Sequence, residues 1–203
     1  MLSQIRPAIV LLALFTLLTG LAYPLAITGV AQVLLPFQAN GSLLPVGDKP
    51  VGSALIGQNF ASDKYFHSRP SATQTQDPAH PDDPSKTIDA PYNAANSTGS
   101  NLGPTSQKLL DRVKADVDAK HAAGWKSIPA DSVTTSASGL DPHISPENAI
   151  AQIAAVAKAR NLPEDKVRAL VDANTEGRAF GLVGEPRVNV LRLNMALDAL
   201  KAS

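Results

Sequence analysis

The chain has 203 residues, with 18 basic side chains balanced by 18 acidic ones and no cysteine. Nothing in that balance asks for nucleic acid, and the lack of thiols excludes disulfides and cysteine chemistry. The length suits one principal domain.

Charge is absent from Pro7 to Gly47, and Ala8 to Leu35 is overwhelmingly apolar. As a helix this stretch would be about 42 Å long, against a hydrocarbon core of about 30 Å. It is therefore read as a single transmembrane helix. Pro24 removes one backbone donor, so a kink or the membrane exit is expected near it. A cleaved signal peptide is the competing reading, with Arg6 as the basic end and Ala8 to Leu18 as the apolar core. Hydrophobicity that continues through Leu25, Ile27, Val30, Val33 and Leu35 favours a retained anchor. Arg6 precedes the span and Lys49 is the first basic residue after it, which favours a cytoplasmic N-terminus and an extracytoplasmic remainder. The 17 basic and 18 acidic groups beyond Arg6 form no polybasic patch for anionic lipid.

The resulting expectation is a membrane-anchored α+β protein: an anchor over residues 1–38, a linker over 39–52, and a periplasmic mixed helix/strand domain over 53–203. Short strands or extended chain are expected in Ser53 to Phe60 and Ser62 to Ala72. A long irregular loop follows over 73–101, where Pro, Asp, Asn, Ser and Thr replace apolar periodicity. Leu109, Val113 and Val117, with Leu110 beside them, predict an amphipathic helix from about Ser106 to Ala123 that stops at Gly124.

The stretch TTSASGLDPHIS, Thr134 to Ser145, reads as a strand, turn and helix start. Val133 to Ser136 has strand-like residues, Gly139 and Asp141-Pro142 are turn signals, and Ser145-Pro146-Glu147 supplies an N-cap, a proline at N1 and an acid in the first turn. Ile150, Ile153, Ala154 and Ala157 predict the packing face of the helix that follows. A further helix begins at Leu162-Pro163-Glu164, with Val167, Leu170 and Val171 as its stripe. Glu185-Pro186 predicts extended chain, then Asn189 caps a helix bearing Val190, Leu193, Leu197 and Leu200.

Ser138, Asp141 and His143 are the residue types of a hydrolase triad. So close along one turn they are unsuited to converge, and no G-x-S-x-G elbow is present. Structural use of these polar groups, in turns and caps, is the stronger reading. His67, His80, His121 and His143 are dispersed, which argues against a metal site. Neither a phosphate-binding P-loop nor a dinucleotide fingerprint occurs.

Five blocks in order, GSALIGQNF, YFHSRPSA, GSNLGP, SASGLDPHIS and EPRVNVLRLNMALDAL, lie behind the apolar span. Together they resemble the C subunit of the bacterial Kdp potassium-transporting ATPase, across nearly the whole chain. The resemblance implies an accessory subunit of the inner membrane, not an enzyme by itself. Its implied partners are a channel-like potassium-binding subunit, a P-type ATP-hydrolysing subunit and a small hydrophobic subunit, with no nucleic acid. It also implies a catalytic chaperone that raises the ATP affinity of the hydrolysing subunit; ATP binding is attributed to the family, and potassium is carried by the complex. An outer domain cannot touch cytoplasmic ATP, so such an effect would travel through the complex, the inner end or the span.

Within the blocks, Gln58, Arg69, Ser71, Asn101, Ser138, Asp141 and His143 are candidate partner or ion-path contacts. Internal bracing of loops is the competing reading for each. Arg69, before Pro70, is the side chain best suited to a fixed fork-shaped contact. In the span, Gly20, Ala22, Ala26 and Gly29 are candidates for close helix packing. The functional alternative is an independent anchored domain that binds or hydrolyses a ligand outside the membrane.

Overall fold

A computed structural model describes residues 2–200; residue 1 and residues 201–203, the ends of the expected anchor and domain, lie outside that range. The chain forms two compact units that meet at Ser53 and Ala54.

In the first unit, an apolar helix runs from Ile5 to Leu34, long enough to cross a bilayer. It consists of α1 (Ile5–Leu17), a π-helical turn (Leu18–Ala22) and α2 (Tyr23–Leu34). The helix does not end at Pro24. In the wider turn before it the Tyr23 amide bonds the Leu18 carbonyl, five residues back, which is one way a helix absorbs a local irregularity. The Thr19 hydroxyl donates to the Phe15 carbonyl at 2.7 Å, so this polar group is satisfied within the helix.

A short α3 (Pro36–Ala39) follows, then a β-hairpin where a linker was expected: β1 (Leu43–Val46) pairs antiparallel with β2 (Lys49–Ser53). Gly47 opens the two-residue loop with φ +60°, the freedom this tight turn requires. Pro45 faces Pro50 where the register shifts, so neither missing donor interrupts a regular ladder.

The second unit holds the larger core. Of the short strands or extended chain expected in Ser53 to Phe60 and Ser62 to Ala72, only Ser53 lies in a strand, as the last residue of β2; from Ala54 to Ala72 the chain is turn, bend and irregular. The expected loop contains a small hairpin of β3 (Gln74–Gln76) and β4 (Thr87–Asp89). Next, α4 (Gln107–Ala122) presents Leu109, Val113 and Val117 half-buried, whereas Leu110 is exposed. Gly124, at φ +85°, terminates it: the Gly124 amide bonds His121 and the Trp125 amide bonds Lys120, a complete Schellman pairing.

Residues 133–136 form no strand. The strand is β5 (His143–Ile144), which joins β6 (Thr175–Glu176) and β7 (Arg187–Asn189) in an antiparallel sheet with β7 central. On its central strand pack α5 (Pro146–Arg160) and α7 (Val190–Ala199), and α6 (Glu164–Ala173) packs against both of these helices. The core joins Ile153 and Val156 of α5, Val167 and Val171 of α6, Leu193 and Leu197 of α7, and Phe66 from the irregular segment. The buried face of α5 carries Ala149, Ile153, Val156 and Ala157, while Ile150 and Ala154, expected inside, are exposed.

Candidate functional site

Amide side chains fix the chain from Tyr65 to Thr73. Asn194 on α7 accepts the Phe66 N–H at 2.9 Å and donates to its carbonyl at 3.0 Å. Gln152 on α5 does the same for His67, at 2.7 and 3.1 Å, and also bonds Asn148 one turn back. Each amide thus acts as a strand partner for one buried or half-buried peptide, which lets Phe66 enter the core without unpaired backbone. Arg160 adds an outer brace, bonding the Lys64 carbonyl and Asp198 and lying 4.8 Å from the Tyr65 ring.

This strap carries Arg69 to the 134–145 block. The Arg69 guanidinium donates to Asp141 Oδ2 at 3.0 Å and, at 3.3–3.4 Å, to the carbonyls of Thr134 and Thr135. The Arg69 carbonyl accepts the Tyr92 hydroxyl at 2.8 Å. Two residues on, Ser71 donates to the Gly139 carbonyl at 2.7 Å and accepts the Tyr92 amide at 3.1 Å. Thr73 donates to the Ala90 carbonyl and accepts the Asn93 amide. The expected loop over 73–101 is therefore tied back to the strap at Ala90, Tyr92 and Asn93.

Glycine permits the closest approaches. A Cβ on Gly57 would lie 2.6 Å from the Asp141 carbonyl, and one on Gly139, at φ +67°, 2.6 Å from the Thr98 carbonyl.

Electrostatically the cluster is self-contained. Burial opposes ionisation of Asp141, yet the neighbouring His143 ring and amide and the Arg69 guanidinium outweigh it and hold the carboxyl below the usual range. The His143 ring nitrogen lies 3.7 Å from Asp141 Oδ1, beyond hydrogen-bond distance, so the bonds made to the carboxylate are those of the His143 amide and the Arg69 guanidinium. Burial, against the opposing effects of Ser68 and Arg69, pushes the Tyr92 phenol up to about 12, so it stays a neutral donor.

The seven candidates are not equivalent. Arg69, Ser71 and Asp141 converge. His143 lies on β5 and its amide donates to Asp141 Oδ1 at 2.9 Å. Ser138 is exposed and its hydroxyl accepts the Leu140 amide at 3.1 Å. Gln58 joins through its backbone: its carbonyl accepts the Ser68 hydroxyl, and the preceding Gly57 amide bonds Leu140. Asn101 is exposed at φ +51°, at the end of a segment whose Ser100 accepts from Thr135 at 3.5 Å. The span residues belong to the other unit. There, helix geometry of about 100° per residue sets Ala22, Ala26 and Gly29 along one face and Gly20 on the opposite side.

The geometry does not support a triad. Arg69 and the His143 amide occupy both oxygens of Asp141, and among the described residues no hydrogen bond joins Ser138 to His143. Nor, among them, do three His, Asp or Glu side chains gather as a metal site. The Arg69–Asp141 pair instead borders two open clefts. One, of about 510 Å³, is also lined by His143, Glu147, Glu185 and Arg187; the other, of about 530 Å³, by Leu55, Ile56, Ser138 and Leu140.

Sequence reasoning missed Asn148, Gln152, Asn194, Tyr92 and Asp131. Asp131 accepts the Ser145 amide and hydroxyl and the Asn148 amide group, enlarging the N-cap of α5. A signal was available: Asn148 and Gln152 lie four apart on the face bearing Ala149 and Ile153, and Asn194 falls between Leu193 and Leu197. Amides on an apolar stripe indicate buried partners.

A single apolar helix long enough to cross a bilayer, followed by a cross-braced α+β unit, defines the structural class of the protein. The family described as K+-transporting ATPase, c chain, matches residues 5–199. The chain is 62% identical over 203 residues to the Potassium-transporting ATPase KdpC subunit of Bradyrhizobium diazoefficiens, covering 100% of both chains. It is 62% identical over 200 residues to that of Rhodopseudomonas palustris (strain BisB5), covering 98% of each. To that of Methylobacterium nodulans it is 60% identical over 201 residues, again covering 98% of each. The chain belongs to the KdpC family.

Proposed function

We propose that this chain is the accessory, non-hydrolysing subunit of an ATP-driven potassium import complex, held in the membrane by its N-terminal helix with the α+β unit outside. The observation that carries this reading is the family match along residues 5–199, together with relatives of equal length named as subunits of a potassium-transporting ATPase. The bound-up Asp141 carboxylate agrees with it, since an accessory subunit requires a stiff surface rather than a free general base.

The finer assignments follow from the same reading. The α+β unit assembles with a channel-like subunit and a P-type ATP-hydrolysing subunit, and the small hydrophobic subunit completes the complex. Its effect on ATP affinity travels through the complex, the inner end or the span, since an α+β unit outside the membrane does not meet cytoplasmic ATP. Charge placement around the span supports a cytoplasmic N-terminus in the inner membrane. Ala22, Ala26 and Gly29 provide a face on which a neighbouring helix can approach closely.

The test is mild-detergent purification of the tagged native protein, with identification of every stoichiometric partner. Recovery of a P-type ATPase and a polytopic channel-like subunit is expected. Recovery of the chain alone, under conditions that preserve other membrane complexes, would overturn the proposal.

A further inference from the structure

Between β6 and β7 the chain projects an apolar tip. Phe180 is 97% exposed, Leu182 81% and Val183 66%, on an element that contributes nothing to the core. The tip is held in shape rather than left loose: Ala179 pairs with Val183, with hydrogen bonds in both directions. At its base Arg178 Nη2 contacts both carboxylate oxygens of Glu185, at 3.0 and 2.7 Å. Phe180 sits at φ +54°, a region that bulky residues rarely occupy, followed by Gly181 at +73°. A disfavoured backbone that displays an aromatic ring to solvent serves no purpose in the isolated unit.

We infer that the Phe180–Val183 tip is a pre-shaped anchor that inserts into an apolar pocket on the extracytoplasmic face of a polytopic partner subunit. This rests on the subunit reading above. Two physical arguments select a protein pocket over the alternatives. Arg178 pairs with Glu185 and Arg187 with Glu176, so the base offers no surplus positive charge to anionic headgroups; Trp, Tyr and Lys, common at membrane interfaces, are also absent from the tip. A covered aromatic ring buries roughly 150–250 Å², and Leu182 and Val183 add smaller areas, so this tip alone falls short of the roughly 800 Å² per partner typical of a stable interface. It therefore suits one buried hot spot in a larger contact, not a self-sufficient dimer of this chain.

The experiment uses the tagged full chain expressed in its native host. Phe180→Gly relieves the unfavourable φ while removing the ring, so thermal stability should be unchanged or higher while partner recovery falls at least tenfold; Phe180→Leu should retain most recovery. A photo-crosslinking amino acid at position 182 should give a covalent product with a polytopic subunit. Full recovery with Phe180→Gly, or crosslinks only to lipid or to a second copy of this chain, would overturn the inference. If the unaltered chain recovers no partner, the subunit reading itself fails and the tip proposal falls with it.

Discussion

Arg69 shows how one side chain can organise a surface. Its guanidinium gathers Asp141 and the carbonyls of two adjacent residues, so it closes the turn from inside. Arg69→Ala should destabilise the protein by about 2–3 kcal/mol, as expected for loss of charged hydrogen bonds, and Arg69→Lys should recover only part of this because an ammonium cannot reproduce the fork. Thermal unfolding of the detergent-solubilised full chain, followed by the fluorescence of its single Trp125, would measure both. The partner carboxylate adds a pH test. Because the Asp141 carboxyl is depressed, its stabilising contribution is complete above the unfolded value of about 3.9 and is lost as pH falls from there through the lower folded value. Asp141→Asn should lower stability at neutral pH and flatten the wild-type loss below about pH 4. At Gly139 an added methyl would meet both an unfavourable φ and the Thr98 carbonyl, so Gly139→Ala should cost about 1–3 kcal/mol in the same measurement.

At the level of elements, α5 and α7 act as substitute strands as well as core helices. Asn194→Ala would leave the Phe66 amide and carbonyl unpaired inside the core, with an expected loss of about 3 kcal/mol. Ser145→Ala should cost only about 1 kcal/mol, a typical N-cap effect. Chemical denaturation of both variants would check this ordering; equal losses would mean that the amide clamp contributes no more than the N-cap. The contrast also marks where pattern reading succeeds. The cap was legible because Ser-Pro-Glu acts within one turn, whereas the clamp joins residues far apart in the chain. Conversely, 54–72 lacks strands because its key peptides pair with side chains instead of a neighbouring backbone.

For the whole molecule, the proposed helix-packing face can be tested apart from the α+β unit, because the two lie in separate compact units. Gly29→Leu leaves the apolar length of the helix intact but fills the small-residue face, so membrane insertion should persist while partner co-purification falls several-fold. Gly20→Leu, on the opposite side, should have little effect. A quantitative pull-down of both variants from the same membranes compares the two faces directly, and equal recovery would remove the packing face from the proposal.

The sequence by itself determined the span-length apolar helix, the stop of α4 at Gly124, the caps at Ser145 and Asn189, and the family. These depend on composition, on signals within a turn or two, or on ordered blocks along the chain. Tertiary structure decided that Arg69 and Ser71 meet Asp141 and Gly139, that Ile150 and Ala154 face outward, that hairpins form over 43–53 and 74–89, and that Phe180 is displayed to solvent. The physical reason is range: a cap or an apolar period is satisfied by neighbours in sequence, whereas the partner of a buried amide or a guanidinium is chosen by how distant segments pack.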